Sequence, residues 1–208
     1  MKKQLLLGCG HSRKRAVHKR GEPQDENFED LYTLDLNPDC KPDLLCDLNT
    51  HTWFASSLTS KGTLAIAEAL ALSPNFTLSP NFTSALPCNY FDEVHAYEVL
   101  EHLGSQGDFL SFFSTFLNIY HILVPNGLLF ATCPSRYSPW LWGDPGHTRA
   151  ILPESLIFLD QTEYKKQLGK TAMSDYRRCW PGDFECISSV DNRTFHTFVL
   201  KAHKPARV

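Results

Sequence analysis

The sequence predicts an α/β fold: an open, mostly parallel twisted sheet with helices on both faces and an antiparallel hairpin at the C-terminus. Three observations lead there. Short apolar runs end at a glycine or an aspartate, as buried strands do on leaving a parallel sheet. Stretches of helical period lie between several of them. The last two apolar runs flank Asp191-Asn192, which is turn chemistry.

Each element follows in chain order. Residues 4–7 read as a short strand ending at Gly8. Residues 11–20 hold Arg13, Lys14, Arg15, Lys19 and Arg20 without an apolar stripe, which predicts a solvated loop or a ragged helix. LYTLDL (31–36) is a second strand closing on Asp35, with Asn37-Pro38 as its breaker. Residues 43–46 are a third strand, delivering Asp47-Leu48-Asn49. Residues 54–87 read as an insertion, in which a helix around 64–72 runs into SPNFTL and SPNFTS, a tandem duplication at 73–84. FDEVHAY (91–97) resumes the sheet. Residues 108–123 have the spacing of a helix with a wide buried face, which Val124-Pro125-Asn126-Gly127 stops before the strand LLFATC (128–133). One helix is expected over 153–168, opening on Pro and Glu, then a hairpin of 184–189 and 194–203.

Bulk properties narrow the function. A chain of 208 residues is one domain's worth, expected to span 1–208. Hydrophobic residues at 42% and charged residues at 21% are an ordinary globular balance. A net charge of −3 recommends no polyanionic partner. No apolar run reaches a signal-peptide core or the roughly 20 residues of a membrane span, so a cytoplasmic protein with no membrane partner is expected. Seven cysteines include no C-x-x-C pair, which argues against a disulfide framework or a zinc knuckle. No metal is expected, and H-E-x-x-H is absent.

Three strand ends carry chemistry. Gly8 and Gly10 let the backbone turn tightly against a ligand, or simply turn. Asp35 ends the next strand, where a carboxylate can take both ribose hydroxyls or cap a turn. Asp47 ends the third, where an acid can accept from an adenine amino group. Together they suggest adenosine, common to NAD, ATP and S-adenosylmethionine. The phosphate question separates these. No glycine-rich helix start and no Walker loop is present, and the loop with Arg13 and Lys14 suits an amino-acid tail better than a diphosphate.

LLLGCG, TLDLNPDCKPDLLCDLN, FDEVHAYEVLEHLG and ILVPNGLLFATCPS resemble, in order, the motifs of class I S-adenosylmethionine-dependent methyltransferases, closest to the group with E-V-L-E-H after the fourth strand. The later SPWLWGDPGHTR is similar to a segment of uncharacterised bacterial and phage members. The resemblance spans about residues 4–135 and implies a Rossmann-like sheet and S-adenosyl-L-methionine as cofactor. By it, Gly8, Cys9 and Gly10 lie under the methionine moiety, Asp35 and Leu36 at the ribose, Asp47 and Leu48 at the adenine, and Ala96 and Tyr97 near the sulfonium. The chain departs from the pattern in its missing third glycine, its basic loop, and Pro-Asn-Gly before the fifth strand.

Methyl transfer needs alignment more than acid–base machinery. Glu98 and His102 share a face if EVLEH is helical and make a candidate carboxylate–imidazole base, while Glu101-His102 can equally pin the loop. His147 is a further catalytic candidate; with Arg149 it can engage an anionic substrate or serve structure. Tyr137, Trp140 and Trp142 form a substrate wall or a lid packed on the sheet edge. D/N-P-P-Y, the mark of amino-methylating DNA enzymes, is absent. The expected acceptor is therefore a small molecule rather than nucleic acid. A cofactor-binding accessory protein without turnover is the alternative.

Overall fold

The computed structural model describes residues 1–18, 25–49, 53 and 86–207. Seven strands form one sheet in the order β3-β2-β1-β4-β5-β7-β6. They are β1 (Lys3–Leu7), β2 (Asp30–Asp35), β3 (Leu44–Leu45), β4 (Phe91–Tyr97), β5 (Leu123–Pro134), β6 (Phe184–Asp191) and β7 (Phe195–Ala202). The first five run parallel, and β7 and β6 close the sheet as an antiparallel hairpin. This is the Rossmann-like architecture expected. Leu7 pairs with Leu34 on one side and Ala96 on the other, so three carboxyl ends finish level.

The two faces of the sheet differ because alternate residues point oppositely. Leu5, Leu7, Val94, Ala96, Leu129 and Ala131 join the main core with Phe113, Phe116 and Ile119 of the helix α1 (Phe109–Ile122). Leu156 of α3 (Pro153–Ile157) packs into the same core, so the described helices that enter it share one face. Gln4, Glu93 and His95 are buried on the other face, where Val17 packs on Phe130 and Val199, and Phe28 packs edge-on to His95. Irregular chain covers that face.

Three sequence expectations change. The basic stretch is a loop among its described residues, but it is not a solvated one. The Arg13 guanidinium donates to Gly10 O at 2.8 Å and Cys40 O at 2.7 Å. Arg15 lies over the Phe130 ring, 3.4 Å from Glu93. Val124-Pro125-Asn126-Gly127 does not separate helix from strand: β5 begins at Leu123, which pairs with Phe91, and the irregularity is absorbed as a register shift before Leu128 meets Glu93. Helix 153–168 breaks in two, α3 and α4 (Gln161–Gln167). Asp160 caps the second, and the Leu159 carbonyl accepts from the Trp180 indole at 3.0 Å and from Phe184 N at 2.9 Å instead of continuing a helix.

The insertion expected at 54–87, with its helix and duplicated segment, lies outside the described residues except for Leu86 and Pro87. Leu86 N donates to Trp53 O, and both residues are buried, so these two residues meet in the core. All seven cysteines are free thiols. Among the described residues no helix is long and apolar enough to cross a membrane.

Candidate functional site

The chain runs outward from β1 through β2 to β3 and then crosses to β4 on the other side of β1, so the carboxyl end of β1 is the switch point where α/β sheets open a crevice. Gly8 and Gly10 turn the chain there with φ of +57° and +49°. A Cβ on Gly8 would stand 2.6 Å from Val99 Cγ2, whereas one on Gly10 would meet nothing within 4 Å. The space above Gly10 is open. Gly10 N donates to Asp35 Oδ2 at 2.8 Å, and Asn37 N donates to Oδ1 at 2.8 Å, which fixes the carboxylate plane at the end of β2. Cys46 N donates to Asp35 O at 2.9 Å and so places Asp47 beside it. Asp47 is exposed and accepts from Asn49 N at 2.9 Å. The glycine pair and both aspartates thus stand at neighbouring strand ends.

The other expected cofactor residues divide. Leu36 is 65% exposed at this edge, an apolar surface free to meet a ring. Cys9 packs with Leu6 and Cys40, and Leu48 and Ala96 belong to the main core, so only the main chain of these three faces the edge. The Tyr97 hydroxyl turns back to His95 Nδ1 at 2.7 Å and away from the position expected near a sulfonium.

Beyond β4 the EVLEH segment is not an α-helix. Glu98 lies in the left-handed region at φ +53°, its N still donating to Thr132 O at 2.9 Å, and Leu100–His102 is a single 3-10 turn. The shared helical face expected for Glu98 and His102 is therefore not formed. Glu98 instead lines a cavity of about 540 Å³ with Val17, His18, Tyr97, Thr132 and Phe195. Its Oε1 is buried without a hydrogen-bond partner, and burial raises its pKa. A second cavity, of about 180 Å³ between Phe109, Phe112, Phe158 and Tyr176, lies off this edge.

Glu101, expected from the sequence only to pin the loop with His102, has a strongly altered environment. It is fully buried, and burial pushes its pKa up to about 8; the charge of Glu98 acts the same way, while its own amide and the Cys133 thiol oppose. Neither carboxylate oxygen makes a hydrogen bond of ordinary geometry. Its carbonyl accepts from Thr148 N at 2.9 Å and Arg149 N at 3.1 Å, which brings the neighbouring His147 to it. His147 Nε2 stands 3.9 Å from Glu101 Oε1. The His102 and His147 rings meet edge to face at 4.7 Å. One ligand atom from each of Glu101, His102 and His147 lies within 4.8 Å of the others. The identity of Glu101 as an acid inside EVLEH was the available signal; its burial was not.

Arg149 is 5% exposed; its Nη2 donates to Ser105 O at 2.7 Å and Asp108 O at 2.9 Å, and the side chain borders the second cavity. Tyr137, Trp140 and Trp142 are more than half exposed around the short helix α2 (Trp140–Gly143), so they do not pack as a lid on the sheet.

No protein-family model matches the chain, and no curated protein does. Among solved structures, a SAM dependent methyltransferase from Archaeoglobus fulgidus is similar at 13% identity and a TM-score of 0.49, over 96% of this chain and 86% of its own. The N-methyltransferase NodS from Bradyrhizobium japonicum WM9, in complex with S-adenosyl-L-homocysteine, is similar at 12% identity and a TM-score of 0.44, over 97% of this chain and 78% of its own. A 16S rRNA (adenine(1408)-N(1))-methyltransferase from Catenulisporales acidiphilia is similar at 12% identity and 0.43, over 97% and 85%.

Proposed function

We propose that the protein is an S-adenosylmethionine-dependent methyltransferase acting on a small-molecule acceptor, as one domain into which 54–87 is inserted. The observation that carries this reading is the hydrogen bond from Gly10 N to Asp35 Oδ2, 2.8 Å long, at the switch point of the sheet. It joins the glycine turn to the strand-end carboxylate, and the space above Gly10 is open. The residues fit the cofactor. Asp35 has lone pairs left for ribose hydroxyls, Asp47 is an exposed carboxylate at the adenine end, and Leu36 offers an apolar surface for the ring. The main chain of Gly8–Gly10 borders the amino-acid tail. S-adenosylmethionine supplies an electrophilic methyl group and leaves as a neutral thioether.

The chain's own part is alignment, which can supply roughly 7–11 kcal/mol of such a barrier. The cavity bordered by Glu98 and Thr132 holds the acceptor next to the end of β4. Glu98, a carboxylate with a raised pKa and a buried oxygen lacking a partner, takes the proton that the acceptor loses. The hydrogen bond from Leu86 N to Trp53 O supports the single-domain reading. Seven free thiols fit a reducing, cytoplasmic compartment.

Calorimetry with S-adenosylhomocysteine and with NAD tests the reading. S-adenosylhomocysteine should bind below the millimolar range and NAD should not. Asp35→Ala should weaken binding by roughly ten- to hundredfold, the loss of one or two hydrogen bonds to a charged group. Tight NAD binding would overturn the cofactor, and cofactor binding without methyl release across a broad acceptor panel would leave an accessory protein.

A further inference from the structure

The geometry points to a binding site for a divalent transition-metal cation, Zn²⁺ foremost, made by Glu101, His102 and His147. The site stands on its own geometry and goes beyond the methyltransferase reading.

Glu101 gives the strongest reason. A fully buried carboxyl with two oxygens and no ordinary hydrogen bond to either is a rare arrangement, because buried polar groups nearly always find partners. A cation between it and the imidazoles supplies the missing partner. Structural pinning of the turn accounts for the main-chain bonds of residues 101, 148 and 149, but leaves the carboxylate unexplained.

The imidazoles are oriented as ligands usually are. His147 Nδ1 lies 2.8 Å from Trp140 O, and His102 Nδ1 lies 2.9 Å from Gly146 O. A carbonyl only accepts, so in the neutral rings the proton sits on Nδ1 and the lone pair on Nε2. Metal-bound histidines are held by this same outer contact. Nε2 of His147 faces Glu101 Oε1 at 3.9 Å, too far for a hydrogen bond between them. Two zinc bonds of about 2.1 Å meeting near the tetrahedral angle set their donors about 3.4 Å apart. Side-chain rotation closes that difference, and the wider spread of the trio within 4.8 Å needs about 1 Å more.

The loop that brings His147 is rigidly placed. Gln106 N donates to Thr148 O at 2.8 Å, and Arg149 bonds across to Ser105 and Asp108. Asp144 Oδ2, on the exposed side, stands 3.9 Å from His147 Nε2 and is within reach as a further donor. Two imidazoles and a carboxylate suit zinc and its transition-metal neighbours rather than magnesium or calcium, which favour all-oxygen shells. Such a set leaves coordination positions for water or for a donor atom of a substrate.

The test uses the full chain stripped with a chelator. Zn²⁺ titrated against a chromophoric competitor should bind one ion per chain at micromolar concentration or tighter, with Mg²⁺ at least a hundredfold weaker. Co²⁺ should show visible bands without the near-ultraviolet absorption of a thiolate ligand. Glu101→Gln and His147→Gln should each lower Zn²⁺ affinity at least tenfold, with far-ultraviolet circular dichroism confirming that they fold. Should one variant fail to fold, His102→Gln takes its place. Equal Zn²⁺ affinity in wild type and folded variants, thiolate absorption with Co²⁺, or no binding at all would overturn the site. S-adenosylhomocysteine calorimetry on the same stripped protein separates the two ideas: intact cofactor binding with no metal sinks only the metal site.

Discussion

Glu93 and Glu101 are both buried, at 1% and 0% exposure, and they behave oppositely. Burial opposes ionisation of Glu93, yet hydrogen bonds from His95, Lys2 and Gln4 and the charge of Arg15 outweigh it and bring its pKa down to about 2. The donors stand close: Gln4 Nε2 at 2.5 Å, Lys2 Nζ at 2.7 Å and His95 Nε2 at 3.2 Å. Burial of Glu101 is opposed only by its own amide and the Cys133 thiol, which do not outweigh it, and its pKa rises to about 8. Loss of water is common to both; the supply of donors differs. A carboxylate whose partners are complete belongs to the fold, and one whose partners are missing marks a place where something else binds.

The largest expected effect separates the two directly. Glu93→Ala leaves the charge of Arg15 in a closed environment and should destabilise by about 3–5 kcal/mol, as removal of one member of a buried pair does. Glu101→Gln removes no ordinary hydrogen bond and, measured near pH 4 where folded and unfolded chains hold the Glu101 proton alike, should change stability by less than about 1 kcal/mol. Urea unfolding in chelator reads both; equal losses would erase the distinction.

The pH dependence should diverge as well. The depressed pKa of Glu93 means that its contribution, about 3 kcal/mol, is present above the ordinary carboxylate range and lost as pH falls toward 2. The raised pKa of Glu101 has the opposite sign: the folded state holds a proton that the unfolded chain has released, so stability falls as pH climbs from the ordinary range to about 8. In chelator, Glu93→Ala should flatten the acid limb of the stability profile and Glu101→Gln the alkaline limb. Limbs that survive these substitutions would assign them to other groups.

The same contrast explains what the sequence made legible. Strand ends marked by Gly8, Gly10, Asp35 and Asp47 are local signals, and parallel pairing brings them level whatever the intervening chain does. Glu101 and His147 meet only because the main chain at 148 and 149 returns to the Glu101 carbonyl, a long-range contact with no periodicity to announce it. The helical spacing assumed for EVLEH failed at one backbone angle, φ +53° at Glu98. Arg15 reads as one charge in a basic run until Glu93 and Phe130 are known to lie beneath it. Helix 153–168 breaks because Trp180, distant in sequence, claims the Leu159 carbonyl.

Smaller effects test how the carboxyl ends of β1 and β4 are held together. Val99 lies between Glu98 and Glu101 and packs where Gly8 has no Cβ. Gly8→Ala combines a left-handed backbone with a 2.6 Å clash and should cost about 2–3 kcal/mol while displacing the turn that carries Glu101. Gly10→Ala meets open space and should cost only the left-handed backbone, about 1–2 kcal/mol. If both substitutions cost the same, Val99 is not the contact that sets the turn.

The smallest effect falls on Glu98 and turns on a sign. Glu98→Ala and Glu98→Gly both remove the carboxylate, so their difference isolates the backbone. Where φ is negative, alanine is the more stable of the pair by about 0.4–1 kcal/mol, because glycine leaves the unfolded chain more freedom. At φ +53° the Cβ of alanine is opposed by the following carbonyl, a penalty of roughly 1–2 kcal/mol that glycine escapes. The balance favours glycine by about 1 kcal/mol, the difference of those two ranges. Unfolding midpoints of the two variants measure it without any assumption about ligand or acceptor. A more stable alanine variant would return the segment to an ordinary helical turn and, with it, restore the shared face of Glu98 and His102 that the left-handed residue breaks.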